Sequence, residues 1–327
     1  MSDLQFQPTA ENPTTSPSTE ARWVGAALCA LSAAGFASLT ILGKFALTID
    51  ISVTTLLGIR FGGAAILLVI YLKLIRRRRI APGIRVTLTL FFLGAVGYAS
   101  QSALYFGALG RIPASLNSLL LYVYPIFVAL FGWLIYHRAP TWREWGAMVL
   151  ASFGVALTLG VGEAGSMTSI GPIDKLGVAM VLTSAAGYAL YIVSSEHVVN
   201  RAGPWISTTW ISAGAGVSFI IAGLLSDTLN SDLPSAATWL LPAVILFSTI
   251  LPVGTLLAGI ARVGPTMASL ISTLEPIFTV LTAVLLLNET LSTFQLVGGG
   301  FVLSAVVLLT LPTRAQRPTA TVIHVPE

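Results

Sequence analysis

Charged side chains are scarce in this 327-residue chain. Asp, Glu, Lys and Arg together make up 9% of it, whereas about 25% is usual in a soluble globular domain. Hydrophobic residues make up 55%, and the mean hydropathy is +0.87. This composition excludes an ordinary soluble domain and predicts a membrane protein.

Residues of metal and nucleophile chemistry are also scarce. The single cysteine, Cys29, excludes a disulfide framework and a thiolate metal site. His137 and His197 fall at predicted cytoplasmic loop edges and His324 in the C-terminal tail, so they cannot form one intramembrane cluster. The chain has no GxSxG, HExxH, P-loop or CxxC motif. We therefore expect no enzyme activity, no cofactor and no metal site.

Apolar runs of helix-spanning length dominate the chain instead. A helix of about 20 residues crosses a hydrocarbon layer of roughly 30 Å, whereas membrane β-strands are shorter and alternate. Residues 1–22 are rich in Pro, Ser and Thr, which indicates a disordered cytoplasmic tail and not a signal peptide. The sequence predicts an all-α integral membrane protein with ten transmembrane helices, at about 23–43, 53–73, 87–109, 113–136, 142–160, 174–195, 205–225, 236–261, 265–287 and 293–311.

Lys and Arg are distributed unequally between the two predicted faces. If the N-terminus is cytoplasmic, thirteen of them lie on inner segments and only Lys44, Arg111 and Lys175 on outer ones. The positive-inside rule then predicts cytoplasmic N- and C-termini. The "KLIRRRR" run after the second span is either a topogenic signal or a contact for anionic lipid. This bias accounts for the pI of about 9.4, so nucleic acid is not expected as a partner.

The chain contains an internal duplication. The stretch "RIPASLNSLLLYVYPIFVAL" from Arg111 matches "RVGPTMASLISTLEPIFTVL" from Arg262 at an offset of 151, and "SAAGFA" matches "SAAGYA" at an offset of 152. Each copy carries five predicted spans, so the second copy enters the membrane from the opposite side. Inverted repeats of this kind suit alternating access in a secondary transporter. The predicted segments are a first repeat at 23–160, an extracellular linker at 161–173, a second repeat at 174–311 and a cytoplasmic tail at 312–327.

Two longer stretches carry a family resemblance. "YPIFVALFGWLIYHRAPTWREWGAMVLASFGVAL" and "EPIFTVLTAVLLLNETLSTFQLVGGGFVLSAVVLL" resemble the two EamA domains of the drug/metabolite transporter superfamily. Glu289, in "LLLNETLS", is similar to the acidic residue that ends the penultimate helix in that family; the first copy departs from the pattern with Arg138. The resemblance implies ten helices, export or exchange of small polar metabolites, commonly amino acids, and a bacterial cytoplasmic membrane.

Glu275 lies within an otherwise apolar span, followed by Pro276. A carboxylate at mid-membrane costs about 2.5–3.5 kcal/mol on insertion scales, so it should face the protein interior or water. Pro125 occupies the position equivalent to Pro276, and kinks at matching places in both halves indicate a midplane binding site. The alternative is that both prolines only shape packing. Tyr124 stands where the second copy has Glu275, so we expect Glu275 to bind a substrate ammonium group or a coupling proton, or else to fix helix packing.

Arg60 is the other charge within a predicted span. It would either hold a substrate carboxylate or serve structurally, by snorkelling outward or by pairing, beside the close-packing Gly58 and Gly62. Further candidates for the cavity share helix faces, although each could be an ordinary interhelical contact. They are Gln101, Tyr105, Asn117, Tyr124, Tyr188 and Tyr191.

The preferred interpretation is a secondary transporter that exports small polar metabolites, with amino acids or related compounds preferred, across the cell membrane. Its expected partners are the small-molecule substrate, the lipid bilayer and a coupling proton. An ion-independent facilitator or exchanger, a channel and a membrane scaffold remain alternatives. Saturable counterflow separates a carrier from a channel.

Overall fold

The structure is a computed structural model that describes residues 19–75, 82–137, 141–158, 174–263 and 265–310. Residues 1–18 and 312–327 of the predicted tails, the linker at 161–173, most of the "KLIRRRR" run and Arg138 lie outside these residues, whereas residues 19–22 of the predicted N-terminal tail belong to a helix. The described residues form helices and no strand. The α-helices are α1 (Thr19–Thr48), α2 (Val53–Ile70), α3 (Ile84–Phe92), α4 (Ala99–Leu109), α5 (Ala114–Leu121), α6 (Tyr124–Tyr136), α7 (Trp142–Thr158), α8 (Lys175–Ala202), α9 (Pro204–Leu225), α10 (Ala237–Ile245), α11 (Leu251–Val263), α12 (Pro265–Ser272), α13 (Leu274–Leu287) and α14 (Thr293–Thr310).

Short π-helical segments join several of these helices into longer rods. Leu93–Tyr98 connects α3 to α4, Leu246–Ile250 connects α10 to α11, and Tyr71–Ile75 extends α2. The first two occupy corresponding places in the two halves, since their starts differ by 153 residues (246 − 93). Single π turns within longer helices are frequent at functional sites.

Seven of the resulting helical stretches are long and apolar enough to cross a membrane. The described part of the chain also holds two shorter apolar helices, Leu274–Leu287 and Thr293–Leu308. This confirms the predicted multi-pass helical membrane protein. The seven stretches are Glu20–Thr48, Val53–Ile75, Ile84–Leu109, Ala114–Ile135, Lys175–Ser195, Pro204–Leu225 and Ala237–Val263.

Both helices expected to kink at a proline are interrupted there. α5 ends at Leu121 and α6 begins at Tyr124, one residue before Pro125. In the second half α12 ends at Ser272 and α13 begins with Leu274, two residues before Pro276. Proline fits the first turn of a helix, where its missing N–H removes no hydrogen bond. Each helical stretch is therefore interrupted within the turn that precedes its proline.

In each half, the first helix packs against helices of the opposite half. α1 lies against α11 and α13, and α8 in turn lies against α4 and α6. The remaining extensive contacts join α2 to α9 and α7 to α14. Glycines permit the closest approaches: a Cβ on Gly216 of α9 would lie 2.7 Å from the backbone nitrogen of Gly62 in α2. Small residues at such crossings let helix backbones pack tightly within a membrane.

Polar contacts join the two halves at one end of the molecule. Asn230 accepts a hydrogen bond from the Ser52 N–H at 2.8 Å and donates one to the Asp50 carbonyl, also at 2.8 Å. Arg111 forms a salt bridge with Asp174 at 2.9 Å, and its hydrogen bond holds the pKa of the Asp174 carboxyl below its usual value. We call this the Glu289 end of the molecule, defined by residues 49–52, 110–113, 226–236 and 288–292.

Candidate functional site

A cavity of about 160 Å³, with several polar side chains in its wall, lies between the two halves, within the helical region. Helices α1, α2, α4 and α8 contribute to its wall, together with the breaks before α6 and α13. Six of the residues singled out in the sequence line it: Arg60, Gln101, Tyr105, Tyr124, Tyr188 and Glu275. Residues far apart in the chain thus meet in one cavity.

Glu275 reaches the cavity because of the break before α13. It lies in the first turn of that helix, where unpaired N–H groups and the helix dipole favour a negative charge. Tyr122 lies close enough to its carboxylate for the two groups to interact electrostatically. Tyr122 itself lies in the break between α5 and α6. The two interrupted helices therefore place a carboxylate and a phenol opposite each other.

Arg60 points into the protein, with 4% of its surface exposed. Its Nε donates a hydrogen bond to Thr249 Oγ1 at 3.0 Å, and its guanidinium carbon lies 4.6 Å from the centre of the Phe61 ring. Thr249 belongs to the π-helical segment between α10 and α11. The snorkelling alternative for Arg60 is therefore wrong. Arg60 and Glu275, both within the described residues, do not form a salt bridge with each other.

Tyrosine rings form one side of the cavity. The Tyr124 and Tyr188 ring centres lie 4.9 Å apart, and Tyr122 and Tyr124 lie 6.0 Å apart. Tyr98 lies 6.4 Å from Tyr188. These contacts are edge-on, the geometry that aromatic pairs favour. The cavity therefore presents both aromatic faces and phenolic hydroxyls to a bound solute.

Amide and hydroxyl groups line the other side. The Tyr105 hydroxyl lies 2.6 Å from Thr40 Oγ1. Gln101 Nε2 donates a hydrogen bond to Ser102 Oγ at 3.0 Å, and Ser184 Oγ donates one to the backbone carbonyl of Gln101 at 2.7 Å. These bonds fix the orientation of Gln101 and Tyr105, so this part of the wall is arranged before any solute binds.

Two of the residues singled out do not line the cavity. Asn117 is completely buried behind its wall and donates a long hydrogen bond, 3.4 Å, to the Tyr105 carbonyl. Tyr191 lies behind Tyr98 and Tyr188, with its ring 5.2 Å from that of Tyr98, and faces a separate peripheral groove. Both residues support the wall from outside.

The cavity also contains polar residues that the sequence reasoning missed: Thr40, Tyr98, Ser102 and Tyr122. Tyr122 shows why. On a continuous helix with 3.6 residues per turn, side chains two positions apart point about 200° away from each other. Tyr122 and Tyr124 should therefore face opposite sides of the helix. The break between α5 and α6 turns both toward the cavity. The "YVYP" stretch that contains both tyrosines therefore indicates two cavity residues only when the position of the helix break is known.

The fold and the site together define a class of protein. Long apolar helices, two packed halves and a cavity between them with polar groups in its wall are the architecture of a membrane transporter. The model of the EamA-like transporter family matches residues 23–160 and 175–311, once in each half. The chain belongs to the EamA-like transporter family, as the resemblance in its sequence indicated.

Relatives in several bacteria are similar to this chain. The uncharacterised transporter YcbK of Bacillus subtilis is 28% identical over 200 residues, which cover 60% of this chain and 63% of YcbK. The chain thus matches slightly less than two thirds of that relative. The threonine/homoserine exporter RhtA of Escherichia coli K12 is 26% identical over 235 residues, covering 70% of this chain and 73% of RhtA. One crystal structure, 17% identical, shares the fold with a TM-score of 0.54 over 89% of this chain and 96% of that one.

Proposed function

We propose that the protein is a secondary transporter that exports small amino acids or related zwitterionic metabolites across the cytoplasmic membrane. The observation that carries this proposal is the presence of Arg60 and Glu275 on one cavity without a salt bridge between them. A buried arginine is suited to hold a carboxylate, and a buried carboxylate is suited to hold an ammonium group. A zwitterion supplies both partners.

The size of the cavity favours a small substrate. Its volume of about 160 Å³ corresponds to roughly five water molecules at about 30 Å³ each. A small aliphatic amino acid occupies a comparable space, whereas an indole side chain would need the walls to separate. The exporter RhtA, 26% identical, acts on threonine and homoserine according to its name, which agrees with a small hydroxylated amino acid as substrate.

Alternating access is the proposed mechanism, with ten membrane crossings in two inverted repeats and both termini in the cytoplasm. The reciprocal packing supports it, because α1 lies against α11 and α13 as α8 lies against α4 and α6. Two halves related in this way can exchange their arrangements and open the same cavity to either side. The positive-inside distribution of Lys and Arg supports the orientation.

A proton is the proposed coupling ion, carried by Glu275. The carboxylate borders the cavity and has a phenol as its neighbour, so it can release a proton when a substrate ammonium group arrives and regain it afterwards. An ion-independent exchanger is the second candidate. It is favoured if Glu275 holds the ammonium group throughout the cycle.

Counterflow in proteoliposomes tests this proposal. Purified protein is reconstituted, loaded with unlabelled threonine, homoserine or other small amino acids, and assayed for entry of labelled substrate with and without a proton gradient. We expect saturable counterflow in the wild type and its loss in Glu275→Gln. Glu20→Gln, which neutralises an exposed carboxylate at the start of α1, is the matched control and should transport as the wild type does.

The two candidate roles of Glu275 give different results in the same assay. If Glu275→Gln retains counterflow but loses gradient-driven accumulation, the carboxylate carries the proton. If it loses both, the carboxylate binds the substrate ammonium group, whether or not it also carries the proton. Wild-type rates of both in Glu275→Gln would refute any role of Glu275 in transport.

A further inference from the structure

Glu289 makes an unusual contact between the two halves of the protein. It lies just beyond α13, in the second half, yet its carboxylate binds the start of α5 in the first half. Oε1 accepts a hydrogen bond from the Ala114 N–H at 2.6 Å, and Oε2 accepts from the Ser115 N–H at 3.0 Å and from Ser115 Oγ at 2.6 Å. The first N–H groups of a helix have no partner within it, and its dipole favours an anion there. Glu289 thus caps a helix of the opposite half.

Lys44 strengthens the same point from α1. Its Nζ donates hydrogen bonds to the Leu109 carbonyl at 2.6 Å and the Ile112 carbonyl at 3.1 Å, at the connection between α4 and α5. The Lys44 ammonium and the Glu289 carboxylate also attract each other electrostatically. A cation on α1 and an anion just beyond α13 therefore hold the chain on both sides of the turn that leads into α5.

The two helices of the interrupted α5–α6 rod differ in how far their side chains are buried. Every residue from Ala114 to Leu120 is buried, and α5 packs against α13. None of the described side chains from Tyr124 to Ile135 in α6 is buried. α5, whose last residue Leu121 reaches the cavity wall, is therefore packed more tightly than α6.

The two repeats differ in the residue that stands at the position of Glu289. The position that matches Glu289 in the first half is Arg138 (289 − 151). A guanidinium group carries only hydrogen-bond donors, so it cannot accept bonds from the N–H groups that begin a helix. The cap that Glu289 provides has no equivalent at the matching residue of the other half.

We propose that Glu289 is the latch of the gate at the Glu289 end: its bonds to Ala114 and Ser115 hold α5 over the cavity, and their rupture lets α5 move away and open it. This proposal rests on the proposed transport function, because a gate implies a passage. Under the predicted topology the gate faces the outside of the cell. Glu289 acts by positioning α5 and does not touch the cavity itself.

The test is the accessibility of a reporter cysteine in the cavity. Cys29→Ala removes the only native thiol, and Leu39→Cys introduces one on the cavity wall. A membrane-impermeant maleimide is then applied to right-side-out and to inside-out vesicles, and the labelling rate is compared with and without Glu289→Gln. We expect Glu289→Gln to raise the rate about tenfold from one side of the membrane only, the factor that corresponds to about 1.4 kcal/mol.

Two further variants make the test specific. Asp232→Asn neutralises an exposed carboxylate at the same end of the molecule and should leave the labelling rate unchanged. Ser115→Ala removes one of the three bonds to Glu289 and should give a smaller increase, so it keeps the test valid if Glu289→Gln does not fold. Unchanged labelling from both sides in folded Glu289→Gln, or in Ser115→Ala if the former is unstable, would overturn the latch.

This measurement does not depend on the substrate. Side-specific labelling in Glu289→Gln supports the latch even if counterflow of every amino acid fails, in which case the proposed substrate class is wrong and the gate remains. Counterflow with unchanged labelling leads to the opposite conclusion, that the substrate class holds and Glu289 only stabilises the fold.

Discussion

Replacement of Arg60 by glutamine should weaken the binding of zwitterionic substrates in a way that depends on their carboxylate. Gln keeps a hydrogen-bond donor near Thr249, which Arg60 contacts at 3.0 Å, but removes the positive charge from the cavity. Hydrogen bonds to charged groups contribute about 1.5–3 kcal/mol, which corresponds to a roughly 10- to 150-fold rise in Kd. Burial of Arg60, at 4% exposure, limits screening by water and salt.

The assay compares two ligands for each variant. Counterflow is inhibited with an amino acid and, separately, with the matching amine that lacks the carboxylate. We expect Arg60→Gln to weaken inhibition by the amino acid while it leaves that by the amine nearly unchanged. Arg85→Gln, which removes an exposed arginine near the start of α3, is the control and should affect neither.

One result would refute this reasoning directly. If Arg60→Gln weakens both ligands equally, the arginine does not contact the carboxylate and acts on the shape of the cavity through Thr249 or Phe61. Thermal unfolding in detergent accompanies each measurement, so that a loss of folded protein is not mistaken for a loss of affinity.

Two further predictions concern the cavity wall and the packing of the halves. Tyr122→Phe removes the hydroxyl near Glu275 and should raise the KM for transport several-fold. The control Tyr191→Phe should leave the KM unchanged, since Tyr191 lies outside the cavity. Equal effects of the two variants would contradict the proposed contact between Tyr122 and Glu275. Gly298→Ala should lower the free energy of unfolding by roughly 1–3 kcal/mol, because the added Cβ would lie 2.5 Å from the Gly154 carbonyl of α7. Gly300→Ala is the control in thermal unfolding, since its added Cβ would meet no atom within 4 Å. Equal losses of stability in both variants would argue against close α7–α14 packing.

The sequence by itself determined the class of protein and its repeated organisation. Scarce charge and long apolar runs fix a helical membrane protein because lipid leaves backbone groups no partner outside the helix. The duplication is visible because both copies keep short motifs at nearly constant spacing. Glu275 and Arg60 could be singled out because a charge in an apolar span is costly wherever it lies.

Only the tertiary structure decided which of these residues meet. Arg60 and Glu275 are separated by most of the chain, and no local pattern states that both face one cavity. Tyr122 joins them because a helix break overrides the 3.6-residue period that places it on the opposite face. Glu289 could be read as an end-of-helix residue, yet its partners lie in the other half of the protein. Hydropathy and helix period describe each segment alone, whereas contacts between distant segments are set by how the helices pack together.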